Sequence, residues 1–198
     1  MSQARHHRPA QPGSLFFEAQ DSGSDPVRLA EAAERAAVSI VRGARASVDP
    51  TLAERVVALA ESEGLDALAA LWSEAPADSV GGCLWRLYLL RSWVYADPLG
   101  AARQFEAGRT RLPVARVLAG VAEPPGPEEI KLMCDDVLRG IAERDFADVL
   151  FRASAFARVV SAGRAADPDA SAPEAVRMLR LAEQLEAAGH TELAGQLG

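Results

Sequence analysis

Cysteine is nearly missing from this 198-residue chain, which holds only Cys83 and Cys134. Two thiols are too few for a disulfide framework, and their spacing is not that of a metal-binding pair. A cytoplasmic setting with reduced thiols is the expectation. Histidine is almost as scarce. His6, His7 and His190 form no H-E-x-x-H, H-x₃-H or Glu-x-x-His spacing, so zinc and di-iron bundle sites have no ligand set. Neither GxxxxGK[ST] nor GxGxxG occurs, which leaves no phosphate-cradling glycine loop. Isoleucine and threonine number three each, and no stretch alternates apolar and polar residues as a half-buried strand does. The longest apolar stretch, Cys83 to Ala96, is broken by Arg86, Arg91 and Ser92. It falls short of the roughly 18 residues that a membrane span needs. Residues Met1 to Gly13 are polar and lack the apolar region of a secretory signal. Lysine is the last absentee: 20 of the 21 basic residues are arginine, and the other is Lys131. The net charge of −7 opposes general nucleic-acid binding but leaves room for a local basic patch.

What the chain has in excess is alanine, 40 residues of it. Alanine is the best helix former, so the bias points one way along the whole chain. Small side chains also let helices approach closely, which leaves specific packing to the few large residues. Hydrophobic residues at 49% and charged residues at 25% are ordinary for a soluble globular protein. The length suits about one domain. The expected organisation is a flexible tail over 1–24 and a single helical domain over 25–198. The proline-rich loop at 123–127 is the one point where that domain would divide. Charge shifts there, from −2 over residues 25–123 to −5 over residues 124–198, while the tail is neutral. Within the tail, Leu15-Phe16-Phe17 is the one segment suited to docking.

Asp-Pro pairs punctuate the chain at Asp25-Pro26, Asp49-Pro50, Asp97-Pro98 and Asp167-Pro168. Aspartate caps the orphan N–H groups of a first turn, and proline fits the first helical position. Apolar periodicity then predicts helices over Pro26–Ala44, Pro50–Glu63, Leu65–Trp72, Val80–Tyr95, Pro98–Ala107, Pro113–Ala119, Glu128–Arg144, Phe146–Ala162, Pro173–Ala188 and Thr191–Gln196. The fold class is all-α: a compact bundle of about nine to ten helices built from antiparallel hairpins. Val80–Tyr95 is apolar nearly all round, which marks it as the expected central helix. Two joints, Glu61 to Ala69 and Glu186 to Ala194, share the pattern E-x-x-G-x-x-x-L-A, with Gly64 and Gly189 placed to end a helix. A third joint is similar to the turn of a tetratricopeptide-type hairpin. Asp145 would cap there and Phe146 would wedge between helices, but no 34-residue repeat follows.

Few residues point to chemistry. The backbone N–H groups of Gly81-Gly82, ahead of the apolar helix, face an anion or simply allow flexible entry. Cys134 lies beside Asp135 and Asp136, whose charge opposes a thiolate, so both cysteines read as small buried hydrophobes. Lys131–Asp135 and Asp135–Arg139 are spaced as i,i+4 pairs on one solvated face. The acidic cluster around them would otherwise dock a basic partner. The one locally basic region runs over Arg86, Arg91, Arg103, Arg109, Arg111 and Arg116, opposed by Asp97 and Glu106. Arginine forks suit carboxylates and phosphates, so these six are the candidate anion or partner contacts. Arg109-Thr110-Arg111 is expected in a loop beside Gly108.

Segments Leu84 to Trp93, Ala101-Ala102-Arg103, Gly108-Arg109, Pro113-Val114 and Gly120 to Glu128 resemble a group of small all-helical proteins of high-GC actinobacteria. The resemblance spans about Leu52 to Val160 and implies no activity, cofactor or catalytic residue. Three readings compete. The first is a non-enzymatic helical interaction or regulatory protein with a protein partner or a second copy of itself, and with no cofactor and no membrane. The second is a nucleic-acid-associated regulator using Arg86 to Arg116. The third is a small-ligand binder or enzyme with a pocket near Trp72, Trp85, Tyr88 and Trp93.

Overall fold

The computed structural model describes residues 26–43, 71–112, 126–143, 145–167 and 172–198. Six helices and no strands lie within them: α1 (Pro26–Arg42), α2 (Val80–Ala96), α3 (Pro98–Arg109), α4 (Pro127–Glu143), α5 (Phe146–Arg164) and α6 (Ala172–Leu193). The all-α expectation stands, but the count of nine to ten does not. Helices expected at Pro50–Glu63 and Pro113–Ala119, and nearly all of Leu65–Trp72, fall outside the described residues, as do the 1–24 tail with Leu15-Phe16-Phe17 and residues 123–125.

The helix ends follow local chemistry. Ser79 caps α2 by accepting the Gly82 N–H at 3.1 Å. Asp97 closes α2 and opens α3: its N–H reaches Trp93 O, and its carboxylate accepts the Gly100 N–H at 2.9 Å. Two helices thus meet at one residue, as the Asp97-Pro98 pair predicts. Asp145 caps α5 through the Ala147 N–H at 3.0 Å, and Phe146 is buried beside it, as expected of that joint.

The joint expected at Gly189 is absent. Instead, α6 runs straight through Gly189 to Leu193 and is closed at Gly195, whose φ is +67°. There the Gln196 N–H bonds Thr191 O and the Gly195 N–H bonds Glu192 O, a pattern that closes a helix C-terminus, while Leu197 folds back into the core. Gly189 is buried against the Phe151 ring, so space rather than backbone freedom calls for glycine. Gly108 is likewise a buried helical residue near the end of α3, not the edge of a loop.

The centre of packing also differs from the expectation. Among the described residues the most completely buried helix is α5, not Val80–Tyr95. It is covered on one side by α6 and on another by α3, with Val149, Leu150, Phe156, Val159 and Val160 inaccessible to solvent. α2 buries one face through Val80, Cys83, Leu84, Leu87, Leu90 and Val94, and leaves Leu89 and Tyr95 outside. An all-apolar helix tells little about which face is covered, because the period carries no contrast. α5 reads as less apolar because its small residues do the packing.

The partners of α5 approach closely. Its contact with α6 is antiparallel: the Ser154 hydroxyl donates to Ala182 O at 2.8 Å and the Ser161 hydroxyl to Ala175 O at 2.9 Å. Such satisfied polar bonds carry little desolvation penalty. Against α3 the backbones touch: a Cβ on Gly163 would lie 1.7 Å from Gln104 O, and one on Gly108 would lie 1.8 Å from Val159 O. Phe105 and Phe156 stack beside this crossing at 5.5 Å.

α1 is held at its middle and at its C-terminal end. Ala33, Ala36 and Ala37 bury its inner face, while Leu29 stays half exposed. The Glu34 carboxylate accepts from the Val80 N–H at 2.8 Å and the Gly81 N–H at 3.0 Å, and the Trp72 indole N–H donates to Ala33 O at 2.8 Å. The Gly81 amide therefore does face an anion, and the anion is the chain's own carboxylate at a helix N-terminus. At its C-terminal end Arg42 pairs with Glu192 and donates to Leu197 O at 3.0 Å.

Candidate functional site

The five candidate arginines within the described residues do not share one surface. Arg86 is half-buried between α2 and α6, donating from Nε to Gln184 Oε1 at 2.8 Å and from Nη1 to Gly82 O at 2.7 Å. Burial lowers its pKa from the ordinary arginine value. Arg91 turns toward α4, donates to Asp135 Oδ1 at 3.1 Å, and lies over the Tyr95 ring at 4.0 Å. Arg109 grips Glu106 with two hydrogen bonds of 2.8 and 2.9 Å and holds that carboxyl below its usual range. Arg111 bonds Ala107 O. Arg103 is exposed and has no partner among the described residues. It lines a hollow of about 470 Å³ between α3 and the start of α4, together with Leu99, Glu106 and Pro127. Arg116 lies outside the described residues.

The acidic face is also tied inward. Asp135 does not pair with Lys131; it accepts from Arg91 and from the Tyr95 hydroxyl, which raises the Tyr95 pKa. Lys131 pairs with Glu128 at 2.9 Å. The Arg139 side chain is outside the described set. Both cysteines are buried, as expected, and burial pushes each thiol up to about 12.

The expected aromatic pocket divides into three. Trp72 is buried against α1, and Trp85 stacks on Tyr88 at 5.4 Å. Among the described residues, Trp93 lines an open cleft. That cleft, about 310 Å³, lies between α2, α5 and α6 and is lined by Leu89, Leu90, Trp93, Arg164, Glu174, Arg177, Met178 and Leu181.

Arg164 is the residue that sequence reasoning missed. It ends α5, its side chain is 14% exposed, and its guanidinium lies over the Trp93 ring at 5.2 Å. Its ion partner Glu174 stands 3.7 Å away, beyond hydrogen-bonding distance, and Glu174 lies 3.9 Å from Arg177. The Arg164 Nε is buried with no hydrogen-bond partner. A buried donor without a partner is uncommon and costly. No sequence signal marks Arg164, because the Trp93 ring beneath it comes from α2, far earlier in the chain, and the cleft forms only where α2 meets α5 and α6. The arrangement offers a cation on an aromatic face, a shared carboxylate, and apolar walls.

Comparison with protein-family models, with curated proteins and with solved structures finds no match to this chain. Function rests on the geometry alone.

Proposed function

We propose that this chain is a non-enzymatic helical regulatory protein whose partner is a small ligand, received in the cleft between α2, α5 and α6. Arg164 carries the reading: a cation mostly withdrawn from water, seated on Trp93, with a buried Nε left unbonded beside an accessible cleft. Ligand sites are mostly apolar concavities with a few polar groups placed in them, and this cleft has that composition. The arginines of α2 and α3 support the same choice by contrast. Arg86, Arg91 and Arg109 are engaged by neighbours in their own chain, so binding phosphates would mean giving up those bonds. The two buried, unlinked cysteines suit a reducing compartment.

Amide hydrogen exchange on the full chain tests this, with and without host-cell extract divided by ultrafiltration into small-molecule and macromolecular fractions. A fraction holding the partner slows exchange at Leu89–Trp93 and Arg177–Leu181, and Leu89→Arg removes the effect. Unchanged exchange in both fractions overturns the reading.

A further inference from the structure

We infer that the group received in this cleft is a small monocarboxylic acid with an apolar body, such as an aryl-alkanoic or medium-chain acid. The inference rests on the cleft's being the binding site. Charge comes first. Arg164 and Arg177 bring two cations and Glu174 one anion, so the cleft holds one uncompensated positive charge. Glu174 reaches neither arginine by a hydrogen bond; it stands between them and leaves donors unfilled on both. A carboxylate matches the arginine fork with two parallel bonds, and the end of the Arg164 guanidinium, which Glu174 does not reach by a hydrogen bond, is what it would meet in the cleft.

Valence comes next. A dianionic phosphate would place two charges beside Glu174, whereas a monoanion balances the site. Shape then sets the body. Trp93, Leu89, Leu90, Met178 and Leu181 give the acid an apolar wall on either side, and Trp93 holds the guanidinium from behind. The volume of about 310 Å³ is at the small end for ligand sites. It fits one ring with a short chain, or a short alkyl chain, and does not fit an extended peptide.

Isothermal titration calorimetry on the full chain tests the assignment with 3-phenylpropanoate and octanoate. The comparisons are the matching alcohols, phenyl phosphate, and a tripeptide ending in phenylalanine with a free carboxylate. Both acids bind, each alcohol binds about ten-fold more weakly, and Arg164→Gln abolishes that preference without weakening the alcohols. Arg177→Ser, at a position 70% exposed that cannot unfold the chain, weakens the acids alone. Several results would overturn the assignment: alcohols binding as tightly as acids, phenyl phosphate or the tripeptide outbinding the acids, acid affinity unmoved by Arg164→Gln in a folded variant, or no binding of either acid. If extract still protects the cleft when the acids fail, the ligand class is wrong and the binding site stands. If extract protection is missing too, both fall.

Discussion

Replacing Gly163 by alanine should destabilise this protein, although it adds a single methyl group. The new Cβ would sit 1.7 Å from Gln104 O, 2.7 Å from Gln104 C and 2.9 Å from the Gly108 N, where real Cβ atoms stay beyond 3.0 Å. All three atoms are backbone in α3, so no side chain can swing aside. The helices must separate by at least the missing 1.3 Å at the crossing. A gap of 0.5–1 Å already forfeits about a quarter to a half of each dispersion contact across an interface. The Phe105–Phe156 stack lies in that interface and is worth about 0.5–1.5 kcal/mol beyond its area. Overpacking itself costs about 1–3 kcal/mol. Against this, alanine gains about 1 kcal/mol of helix propensity over glycine. The net loss is about 0.5–3.5 kcal/mol, a sizeable share of the roughly 5–15 kcal/mol that holds a domain folded. It corresponds to a fall in Tm of about 1–14 °C for a chain of this size. Urea unfolding followed by circular dichroism at 222 nm measures it. Gly189→Ala is the internal control. Its Cβ would meet the ring of Phe151 at 2.9 Å, and a half-buried ring can turn, so propensity offsets most of the strain and the midpoint shifts little. Gly108→Ala repeats the Gly163 clash from the other side, and the double variant should cost less than the two singles together, because helices already parted accept the second methyl. An unchanged or raised midpoint for Gly163→Ala refutes the close crossing.

Other consequences follow from the contacts described. Glu34→Ala leaves the Val80 and Gly81 N–H groups without their shared carboxylate; a loss of about 1.5–3 kcal/mol in chemical unfolding is expected, and no loss would deny Glu34 its part, beside the Ser79 cap, in holding the start of α2. Burial raises the Cys83 and Cys134 thiols from 9.0 to about 12. Below pH 9 both folded and unfolded chains keep these protons; between pH 9 and 12 the unfolded chain releases them first, so stability falls as pH rises through that window. A variant with both cysteines changed to alanine should show a flatter fall than the parent over the same range, measured by urea midpoint. Arg42→Lys exchanges a fork that spans Glu192 and Leu197 O for a point charge and should cost about 1–2 kcal/mol. Arg103→Lys, with no partner among the described residues, should stay within about 0.5 kcal/mol. Equal effects of the two exchanges in thermal unfolding would deny Arg42 its bridging role.

Local signals made most of the helix starts legible. Asp97-Pro98 and Asp145-Phe146 cap as their chemistry requires, because the cap and the N–H it serves lie within three residues of each other. Helix ends were less legible. Gly189 has the residue type of a stop, yet an interior glycine costs a helix only about 1 kcal/mol, and the tertiary need for space beside Phe151 decided its place. The true stop, Gly195, differs by its backbone bonds to Thr191 and Glu192 and by the burial of Leu197, none of which is visible in a pattern of letters. Periodicity also put the centre in the wrong helix. Apolar count favours Val80–Tyr95, whereas burial depends on how close neighbours come, and the small residues of α5 admit them. Of the candidate site, Trp93 was legible as an aromatic, and Arg164 was not.

The arginines show why clustering in sequence misleads in a chain of this build. Helices faced with alanine, serine and glycine pack closely, and long side chains at their margins then reach the next helix. Arg42 reaches from α1 to Glu192, Arg86 from α2 to Gln184, Arg91 from α2 to Asp135, Arg158 from α5 to Glu186, and Arg164 from α5 toward Glu174. These are straps between helices, and their spacing along the chain carries no information about where they meet. The first four close on a hydrogen-bonded partner. Arg164 does not: its carboxylate stands at 3.7 Å and its Nε has no acceptor. A strap needs its last hydrogen bond, because an unmet buried donor costs stability. One left open beside a cleft is poor as a strap and suited to a ligand that brings its own acceptor. The incomplete member of the set, rather than the densest run of charge, is therefore where binding is to be sought.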